Sequence, residues 1–314
     1  MKPSLEKDFD LSIPMAELAG QGYTIIEDML DESELEELRD ALQQIAQDEC
    51  ENTFVPEETE TSVYDTAIEA FLAESYPITK GELRRVMHQI QHTRMQNHGT
   101  TWPVSIEEVP RNFVQLPNFT EDGTQYVRSL VLKNELFLKQ VEDQRVLALT
   151  RSILGDDCIL SDFSANILGP KTRGQSWHVD APLQQLPDPL PEFAITTQNV
   201  WMLDDFTHEN GATRIVPGSH KRRKKPEWVN ESMEDEISLE APAGSVAIWS
   251  SNTWHKAGAN STNRPRRALL GYYARSWVKP FTDYRPNISS EMAERISPTA
   301  LYLLGFSSNA VQRP

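Results

Sequence analysis

The sequence predicts a mainly β protein, with helices in its first half and an antiparallel β sandwich or barrel behind them. After Gly155 the chain consists of short β-like runs of about four to ten residues, separated by Gly, Pro and Asn. Before Gly155 the apolar residues recur instead at helical spacing. Successive strands without intervening helices favour antiparallel pairing over a parallel βαβ sheet.

A first helix is predicted to begin next to Asp31. Asp31 and Glu34 have the spacing of a capping box, in which each side chain accepts a hydrogen bond from the other residue's backbone N–H. An apolar stripe at spacings of three and four residues follows: Leu35, Leu38, Leu42 and Ile45. Residues 47–61 are acidic and contain Pro56, so they are predicted to form a solvated loop.

A second helix is predicted over 134–154. Its apolar side consists of four residues: Leu138, Val141, Leu149 and Ile153. Gly155 is placed to end this helix, because glycine readily adopts the left-handed conformation that closes many helices.

Five runs beyond this point have the composition of strands. They are 159–168, 198–203, 213–216, 245–249 and 268–277. No internal repeat and no long Gly/Ser-rich or Pro-rich linker separates them from the helices, so 1–314 is predicted to be a single domain.

This domain is predicted to have three parts. Residues 1–155 form a mostly helical N-terminal part, 156–280 a β-barrel core, and 281–314 a C-terminal extension. Within the first part, the loop-like composition of 47–61 and 93–125 makes both stretches candidates for a lid over the barrel.

The charge balance restricts the partners. The 314 residues include 30 basic and 47 acidic side chains, and the net charge of −17 disfavours binding to nucleic acid or to an anionic membrane.

Cys50 and Cys158 form no C-x-x-C pair, so neither a disulfide framework nor a thiolate zinc site is expected. No segment approaches the ~18 apolar residues of a membrane span, and the N-terminus shows no apolar leader. The sequence predicts a cytoplasmic protein that acts on a small molecule and binds neither nucleic acid nor membrane. A homodimer is compatible with this composition.

Three side chains offer the donor atoms of a non-haem iron site. His178 and Asp180 are two positions apart, so on a strand both project from the same face. His255, just beyond the run 245–249, offers a third ligand. Two imidazoles and one carboxylate on one face of an octahedral metal leave three positions open, which is typical of non-haem Fe(II) oxygenases. His178, Asp180 and His255 are therefore the predicted metal ligands and catalytic residues, although an H-x-D pattern alone arises often by chance.

The surrounding sequence resembles the phytanoyl-CoA dioxygenase family of Fe(II)/2-oxoglutarate-dependent oxygenases. The matching motifs occur in the family's order: Trp201-Met202-Leu203-Asp204-Asp205, Asn210-Gly211-Ala212-Thr213-Arg214, Val216-Pro217-Gly218-Ser219-His220, Gly244-Ser245-Val246, His255-Lys256-Ala257-Gly258-Ala259-Asn260 and Arg264-Pro265-Arg266-Arg267-Ala268-Leu269. The resemblance is close over 155–277 and weaker over 21–45. Several independent motifs in the right order make it specific.

The resemblance implies a double-stranded β-helix, that is a jelly-roll, cupin-like barrel, with the N-terminal helices packed outside. It also implies Fe(II) as the metal, with 2-oxoglutarate as co-substrate and O2 as the oxidant. His178, Asp180 and His255 match the family's iron ligands. Because Asp180 stands where related halogenases have Gly or Ala, halogenation is not expected.

Two further residues are assigned to the co-substrate by the resemblance. Arg266 matches the arginine that pairs with the distal carboxylate of 2-oxoglutarate, a role that suits the planar fork of a guanidinium. Arg264 and Arg267 compete for this role, although Arg267 should point away from the barrel if Arg266 points in. Gln175 matches a position near the co-substrate.

The predicted function is 2-oxoglutarate-dependent oxidation of a small organic molecule, with release of succinate and CO2. Hydroxylation, desaturation and cyclisation are all open outcomes, and specialised or natural-product metabolism is the expected setting. One alternative is a metal-binding barrel without oxidative chemistry, an isomerase or a ligand-binding module, which would have no use for Arg266. Another is an oxygenase that acts on a protein or nucleic-acid side chain. The basic run Lys221–Lys225 is interpreted either as a solvated loop or as a surface that admits an anionic substrate.

Overall fold

The structure is a computed structural model. It describes residues 10–51, 63–75, 83, 87, 124–227, 229 and 231–306. The chain divides into two compact units, one formed by Met1–Ile45 with Asp122–Pro314 and the other by Ala46–Glu121. Most of the two predicted lid stretches, 47–61 and 93–125, lies outside the described residues, namely the parts 52–61 and 93–123.

The described chain begins with a helix followed directly by an edge strand. Helix α1 (Ser12–Gln21) ends at Gly22, which has a φ of 89°. Strand β1 (Tyr23–Ile26) starts at the next residue. A Cβ at position 22 would lie 2.4 Å from Nδ1 of His220, so both the backbone angle and the space require glycine at this turn.

Helix α2 (Glu32–Glu51) begins where the capping box predicts. Asp31 Oδ1 accepts from the Glu34 N–H at 2.9 Å, and Glu34 Oε2 accepts from the Asp31 N–H at 3.0 Å. Three residues of the predicted apolar stripe are buried: Leu35, Leu38 and Leu42. The prediction of a loop over 47–61 is wrong at its start, because good helix formers continue α2 to its last residue and no breaker precedes Pro56.

The described part of the second unit is helical. Helix α3 (Val63–Ser75) buries Ile68 and Leu72, which are four positions apart and so lie on one face of the helix. Leu83 and Met87 have the same spacing and are also buried.

The helix predicted over 134–154 is divided. The segment forms α4 (Leu130–Lys133), a 3₁₀ turn (Glu135–Phe137), α5 (Leu138–Val141) and α6 (Gln144–Leu154). Asp143 leaves the helical conformation, and its carboxylate accepts from the N–H groups of Arg145 and Val146 to start α6. Gly155 ends α6 as predicted, with a φ of 97°.

The β part consists of two antiparallel sheets. Beyond β1 the described residues form β2 (Gln125–Val127), β3 (Ile159–Leu168), β4 (Thr196–Met202), β5 (Arg214–Ile215), β6 (Ile237–Ser238), β7 (Val246–Ser250), β8 (His255–Lys256) and β9 (Arg266–Ala274). The larger sheet has the order β1-β7-β4-β9-β3-β2 and the smaller one β6-β5-β8. Most neighbouring strands are distant in sequence, as expected when the chain crosses repeatedly between two sheets.

An apolar core lies between the sheets. Its buried members include residues of β4, β7 and β9 from the larger sheet and of β5 from the smaller one: Val200, Met202, Phe206, Ala212, Ile215, Leu239, Ala241, Ala247, Trp249 and Ala268. Outside the sheets, α1 lies against β1 and α6 against β4. The predicted mainly β jelly-roll with flanking helices is confirmed, with the described strands in two separate sheets instead of one closed barrel.

The predicted strands differ from the observed ones mainly at their ends. The run 159–168 coincides with β3. The run 268–277 is displaced, because β9 begins two residues earlier at Arg266 and ends at Ala274. The early start escaped prediction because a charged pair opens the strand, and the late end because Trp277 adds β-like composition although its side chain is 60% exposed.

The predicted C-terminal extension contains two short helices. In α7 (Ser290–Arg295) and α8 (Pro298–Leu303), the hydroxyl of the preceding serine accepts a backbone N–H and caps the helix. Ala300 and Leu303 of α8 are buried. None of the helices described above combines the length and apolar character that crossing a membrane requires.

Candidate active site

Two distant chain segments, 175–180 and 251–257, run antiparallel at the centre of the site. His178 N donates to His255 O, and His255 N donates to His178 O, both at 3.0 Å. Asp180 N donates to Ser251 O at 3.1 Å. This pairing places the two histidines opposite each other, and the carboxylate two residues along the same edge.

The structure brings the three predicted ligands together. One ligand atom from each of His178, Asp180 and His255 lies within 4.8 Å of the others. His255 Nε2 is 3.3 Å from Asp180 Oδ1, and the two imidazole rings have their centroids 4.4 Å apart. The geometry is that of a site for one ion, and the role of these residues as ligands is taken up as a proposal below.

Backbone carbonyls select the histidine tautomers. His178 Nδ1 lies 2.9 Å from Ser176 O, and His255 Nδ1 lies 2.9 Å from Thr253 O. Since a carbonyl oxygen only accepts, each Nδ1 carries the hydrogen and each Nε2 presents a lone pair. Metal-binding histidines are commonly oriented in this way.

The protonation of the two imidazoles follows from burial and from Asp180. Burial, with a smaller effect of the neighbouring His255, lowers the pKa of His178 to about 4, so this ring is neutral at physiological pH. Burial also opposes protonation of His255, but the Asp180 carboxylate outweighs it and raises the pKa of His255. A metal ion bound by both Nε2 atoms requires neutral rings, so it would compete with protonation of His255.

Asp180 supplies the test of whether these residues fit a metal. Its Oδ2 is buried and has no hydrogen-bond partner in the part of the chain that the structure describes. A buried carboxylate oxygen without a donor is costly, and a divalent cation would satisfy it. Two nitrogen donors and one carboxylate on one side of an ion suit Fe(II) with three positions left open. The donor set fits the metal.

A cavity of about 190 Å³ adjoins the three residues. Its walls are formed by Tyr126, Asn166, Gln175, His178, Asp180, Gln198, Val200, Thr213, Trp249, His255, Lys256, Ala257, Arg266 and Leu270. Trp249 is also packed against His255, with ring centroids 5.1 Å apart. The cavity therefore joins the His-Asp-His cluster to a wall that carries a buried cation.

Arg266 is that cation. It is 4% exposed, its Nη2 donates to Asn166 Oδ1 at 3.3 Å, and its guanidinium lies 4.1 Å from the centre of the Phe206 ring. Burial lowers the pKa of Arg266 to about 10, against the opposing effects of Tyr126 and Asp204, so it is charged at neutral pH. Its Nε is buried without a hydrogen-bond partner among the described residues. A buried charge with an unused donor suits a carboxylate ligand.

The neighbouring arginines do not contribute to this cavity. Arg267 points away as the strand alternation predicts, and its guanidinium bonds both carboxylate oxygens of Asp204 at 2.6 and 3.0 Å. Arg264 is exposed. Of the three candidates, the structure places Arg266 alone among the cavity-lining residues.

Gln175 lies at the same cavity and is held by a residue that the sequence did not reveal. Its Nε2 donates to Tyr126 Oη at 2.9 Å, and its backbone N donates to Ala257 O at 3.0 Å. Tyr126 lies on β2 directly opposite Asn166 of β3, and both line the cavity. Only the pairing of these strands brings Tyr126 to Arg266, so no local motif points to it.

The basic run Lys221–Lys225 has a structural role. Lys221 Nζ donates to Gly20 O at 2.8 Å, Arg223 Nε to Leu190 O at 2.9 Å, and Lys225 Nζ to Leu186 O at 2.7 Å. Arg222 lies over the ring of Trp254 at 4.7 Å. These contacts join neighbouring loops, and no residue of the run lines the cavity at the three ligands.

The fold and the site together define a jelly-roll protein with a partly buried His-Asp-His cluster and a buried arginine at the same cavity. The model of the family described as phytanoyl-CoA dioxygenase (PhyH) matches residues 18–268. The chain belongs to this family of Fe(II)/2-oxoglutarate-dependent oxygenases, and the identification made from the motifs is confirmed.

Several curated relatives are named dioxygenases. Dioxygenase af480 of Aspergillus fumigatus is 34% identical over 163 residues, which make up 51% of this chain and 52% of that protein. Dioxygenase easH of Epichloe festucae var. lolii is 32% identical over 148 residues, 46% of this chain and 78% of that protein. Ectoine dioxygenase of Stutzerimonas stutzeri is 27% identical over 183 residues, 49% of this chain and 60% of that protein. The chain thus spans only about half of the af480 protein.

Solved structures share the fold at low identity. The non-heme alpha ketoglutarate dependent epimerase SnoN from nogalamycin biosynthesis superposes with a TM-score of 0.52 at 17% identity, covering 85% of this chain and 81% of SnoN. A complex of SnoN with Fe3+, alpha ketoglutarate and nogalamycin RO gives a TM-score of 0.50 at the same identity. At this identity the likeness shows the fold.

Proposed function

We propose that the protein is an Fe(II)- and 2-oxoglutarate-dependent dioxygenase that oxidises a small organic molecule of specialised metabolism. The observation that carries the proposal is that two side chains lining the same cavity each have a buried polar atom without a hydrogen-bond partner among the described residues: Oδ2 of Asp180 and Nε of Arg266. A bound cation would satisfy the carboxylate oxygen, and a bound anion would satisfy the guanidinium nitrogen. A metal chelated by a 2-oxo dicarboxylate satisfies both.

His178, Asp180 and His255 are the proposed metal ligands. Their Nδ1–H···O=C bonds fix the imidazoles, and the backbone pairing of 178 with 255 keeps the ligand set in one place before metal binds. When bound, Fe(II) supplies O2 activation coupled to oxidative decarboxylation of 2-oxoglutarate to succinate and CO2. The protein's own contribution is orientation and exclusion of water.

Arg266 is the proposed anchor for the distal carboxylate of 2-oxoglutarate, and Gln175 a second contact. Asn166 holds the Arg266 guanidinium from one side and the Phe206 ring supports its face. Tyr126 orients the Gln175 amide through its hydroxyl. Hydroxylation, desaturation and cyclisation of the substrate remain alternatives within the proposal, since they differ in where the substrate lies relative to the metal.

The alternative of a non-oxidative metal-binding barrel is less well supported. Such a protein has no need for a buried cation beside the metal ligands, and burying Arg266 is costly unless an anion binds to it. The curated relatives named above also favour oxidation, because af480, easH and the ectoine enzyme are all named dioxygenases.

The proposal is tested by adding Fe(II) and 2-oxoglutarate to the protein without oxygen. We expect a weak visible charge-transfer band from chelation of the 2-oxo acid, and slow succinate formation once O2 is admitted. Asp180→Ala should lose the band and the succinate while keeping the thermal unfolding temperature of the apoprotein. Asp156→Ala, which removes an exposed carboxylate in the turn after α6, is the control and should keep both.

The outcomes separate the possibilities. A wild-type protein that gives no band and no succinate would contradict the proposed function. A band of wild-type strength in Asp180→Ala would contradict the assignment of Asp180 as a required ligand. A band without succinate under O2 would favour the non-oxidative alternative.

A further inference from the structure

A buried tyrosine on β9 faces the same side of the sheet as the cavity. Tyr272 pairs with Gln198 of β4, and Gln198 pairs with Trp249 of β7. Residues directly opposite each other on neighbouring strands share a face of the sheet. Since Gln198 and Trp249 both line the cavity, Tyr272 lies on the cavity side of the sheet.

The hydroxyl of Tyr272 is bonded to the backbone next to Asp180. Its Oη donates to the carbonyl oxygen of Ala181, the residue that follows Asp180. Thr196 Oγ1 lies 2.9 Å from Tyr272 Oη and 2.5 Å from Ser251 Oγ. Tyr272 is 7%, Thr196 1% and Ser251 0% exposed, so water does not compete for these bonds.

The same network holds the other side of Asp180. Ser251 O accepts from the Asp180 N–H at 3.1 Å, and Ser251 N donates to Thr196 O at 3.2 Å. Each of the three hydroxyls has one hydrogen to give, and the Ala181 carbonyl can only accept. The network therefore fixes the chain at two points, on the N–H of Asp180 and on the carbonyl of the next residue.

We propose that Tyr272 is a positioning residue for Asp180, whose hydroxyl, with Thr196 and Ser251, fixes the backbone that aims the carboxylate at the metal. The inference rests on the proposed function, because it takes Asp180 as a ligand. Groups that orient metal ligands from outside typically change metal affinity about 10- to 100-fold when they are removed. Tyr272 does so through the main chain.

The neighbouring residue offers a matched control. Tyr273 is also buried and also donates its hydroxyl to a backbone carbonyl, that of Val141 at 2.6 Å. As the next residue on the strand, it points to the opposite face, toward the helical part of the chain. Tyr272→Phe and Tyr273→Phe therefore remove the same atom from two buried sites, and only one of these sites adjoins the proposed ligand cluster.

The test measures Fe(II) affinity by competition with a chromophoric chelator under anaerobic conditions, and the visible spectrum of the Co(II)-loaded protein. Tyr272→Phe should bind Fe(II) about 10- to 100-fold more weakly and shift the Co(II) bands. Tyr273→Phe should lower the unfolding temperature of the apoprotein and leave both metal readouts unchanged. Thr196→Val, which removes the hydroxyl next in the network, should weaken Fe(II) binding in the same direction and serves if Tyr272→Phe does not fold.

Two failures are distinguishable. If the wild-type protein does not bind Fe(II), the proposed function fails and this inference with it. If the wild type binds Fe(II) and both Tyr272→Phe and Thr196→Val match its affinity and Co(II) spectrum, the positioning role alone is refuted. An equal loss of affinity in Tyr273→Phe would also refute it, because general destabilisation would then explain the effect.

Discussion

Replacing Arg266 with lysine separates the effect of its charge from that of its shape in the proposed co-substrate site. Lysine keeps the positive charge but loses the planar fork that binds both oxygens of a carboxylate. It also loses the flat surface that lies 4.1 Å from the centre of the Phe206 ring. We expect Arg266→Lys to bind 2-oxoglutarate more weakly while its metal site stays intact.

The size of the effect follows from the contacts of Arg266. Asn166 takes Nη2, and Nε has no partner among the described residues, so the guanidinium retains donors for a ligand. A hydrogen bond to a charged group contributes about 1.5–3 kcal/mol. Losing one bond of a two-bond fork therefore weakens 2-oxoglutarate binding about 10- to 150-fold, at about 1.4 kcal/mol per tenfold change. Arg266→Ala loses the charge as well and should have a larger effect.

The assay titrates 2-oxoglutarate into the anaerobic Fe(II) protein and follows the charge-transfer band. Fe(II) affinity is measured separately and should be the same in wild type and variant. Arg267→Lys is the matched control. The Arg267 guanidinium points away from the cavity and bonds Asp204 at distances of 2.6 and 3.0 Å, so the 2-oxoglutarate dependence of this variant should equal that of the wild type.

Unchanged 2-oxoglutarate binding in Arg266→Lys and Arg266→Ala would refute the assignment. A parallel loss of Fe(II) affinity would show that Arg266 acts on the metal site as a whole. Weaker 2-oxoglutarate binding in Arg267→Lys, with no change in the Arg266 variants, would mean that Arg267 and not Arg266 points into the cavity.

Two further predictions concern packing and reactivity. Gly258→Ala should lower the unfolding temperature, because the new Cβ would lie 2.6 Å from the backbone oxygen of Ala212. The control is Gly20→Ala, whose new Cβ meets nothing within 4 Å, so this variant should be as stable as the wild type or more stable. Equal unfolding temperatures in the two variants would contradict this prediction. Burial raises the pKa of Cys158 to about 11, so in a Cys50→Ser background the folded protein should not react with a thiol reagent at pH 8 and should react once denatured. Labelling of Cys158 in the folded state would show that its burial is only transient.

Features that depend on near neighbours in the chain were predictable. The capping box at Asp31 needs only Glu34, three residues away, and both bonds are present. Gly155 ends a helix because its own backbone conformation suffices. The alternation of Arg266 and Arg267 follows from strand geometry alone, and the structure confirms that they face opposite ways.

Errors arose where a local pattern continued across a change in the backbone. The apolar spacing over 134–154 persists through Asp143, where the carboxylate caps a new helix, so periodicity alone cannot show the break. At β9 the opposite occurred: charged residues open a strand because Arg266 is buried against Phe206 and Asn166. The single-domain organisation, the lid, the cytoplasmic location and the homodimer stay predictions.

In the candidate site, too, some residues could be predicted from the sequence and others could not. His178, Asp180 and Arg266 could be selected from the sequence because metal and carboxylate chemistry restricts the residue types and the family motifs restrict the positions. Tyr126 and Asn166 belong to the site only because β2 pairs with β3 in one particular register. A hydroxyl or an amide occurs in many loops and strands, so its chemistry alone does not mark it.

The network at Asp180 explains why such residues matter although no motif contains them. Asp180 is adjacent in sequence to Ala181, but the groups that fix this stretch come from β9, from the start of β4 and from the turn after β7. A shift of one residue in the pairing of β4 with β9 would move Tyr272 to the other face and leave the Ala181 carbonyl without its donor. The register of the larger sheet therefore determines the direction of the carboxylate. In the proposed site, the three ligands would specify which ion can bind, whereas the strand pairing behind them would specify how tightly it is held.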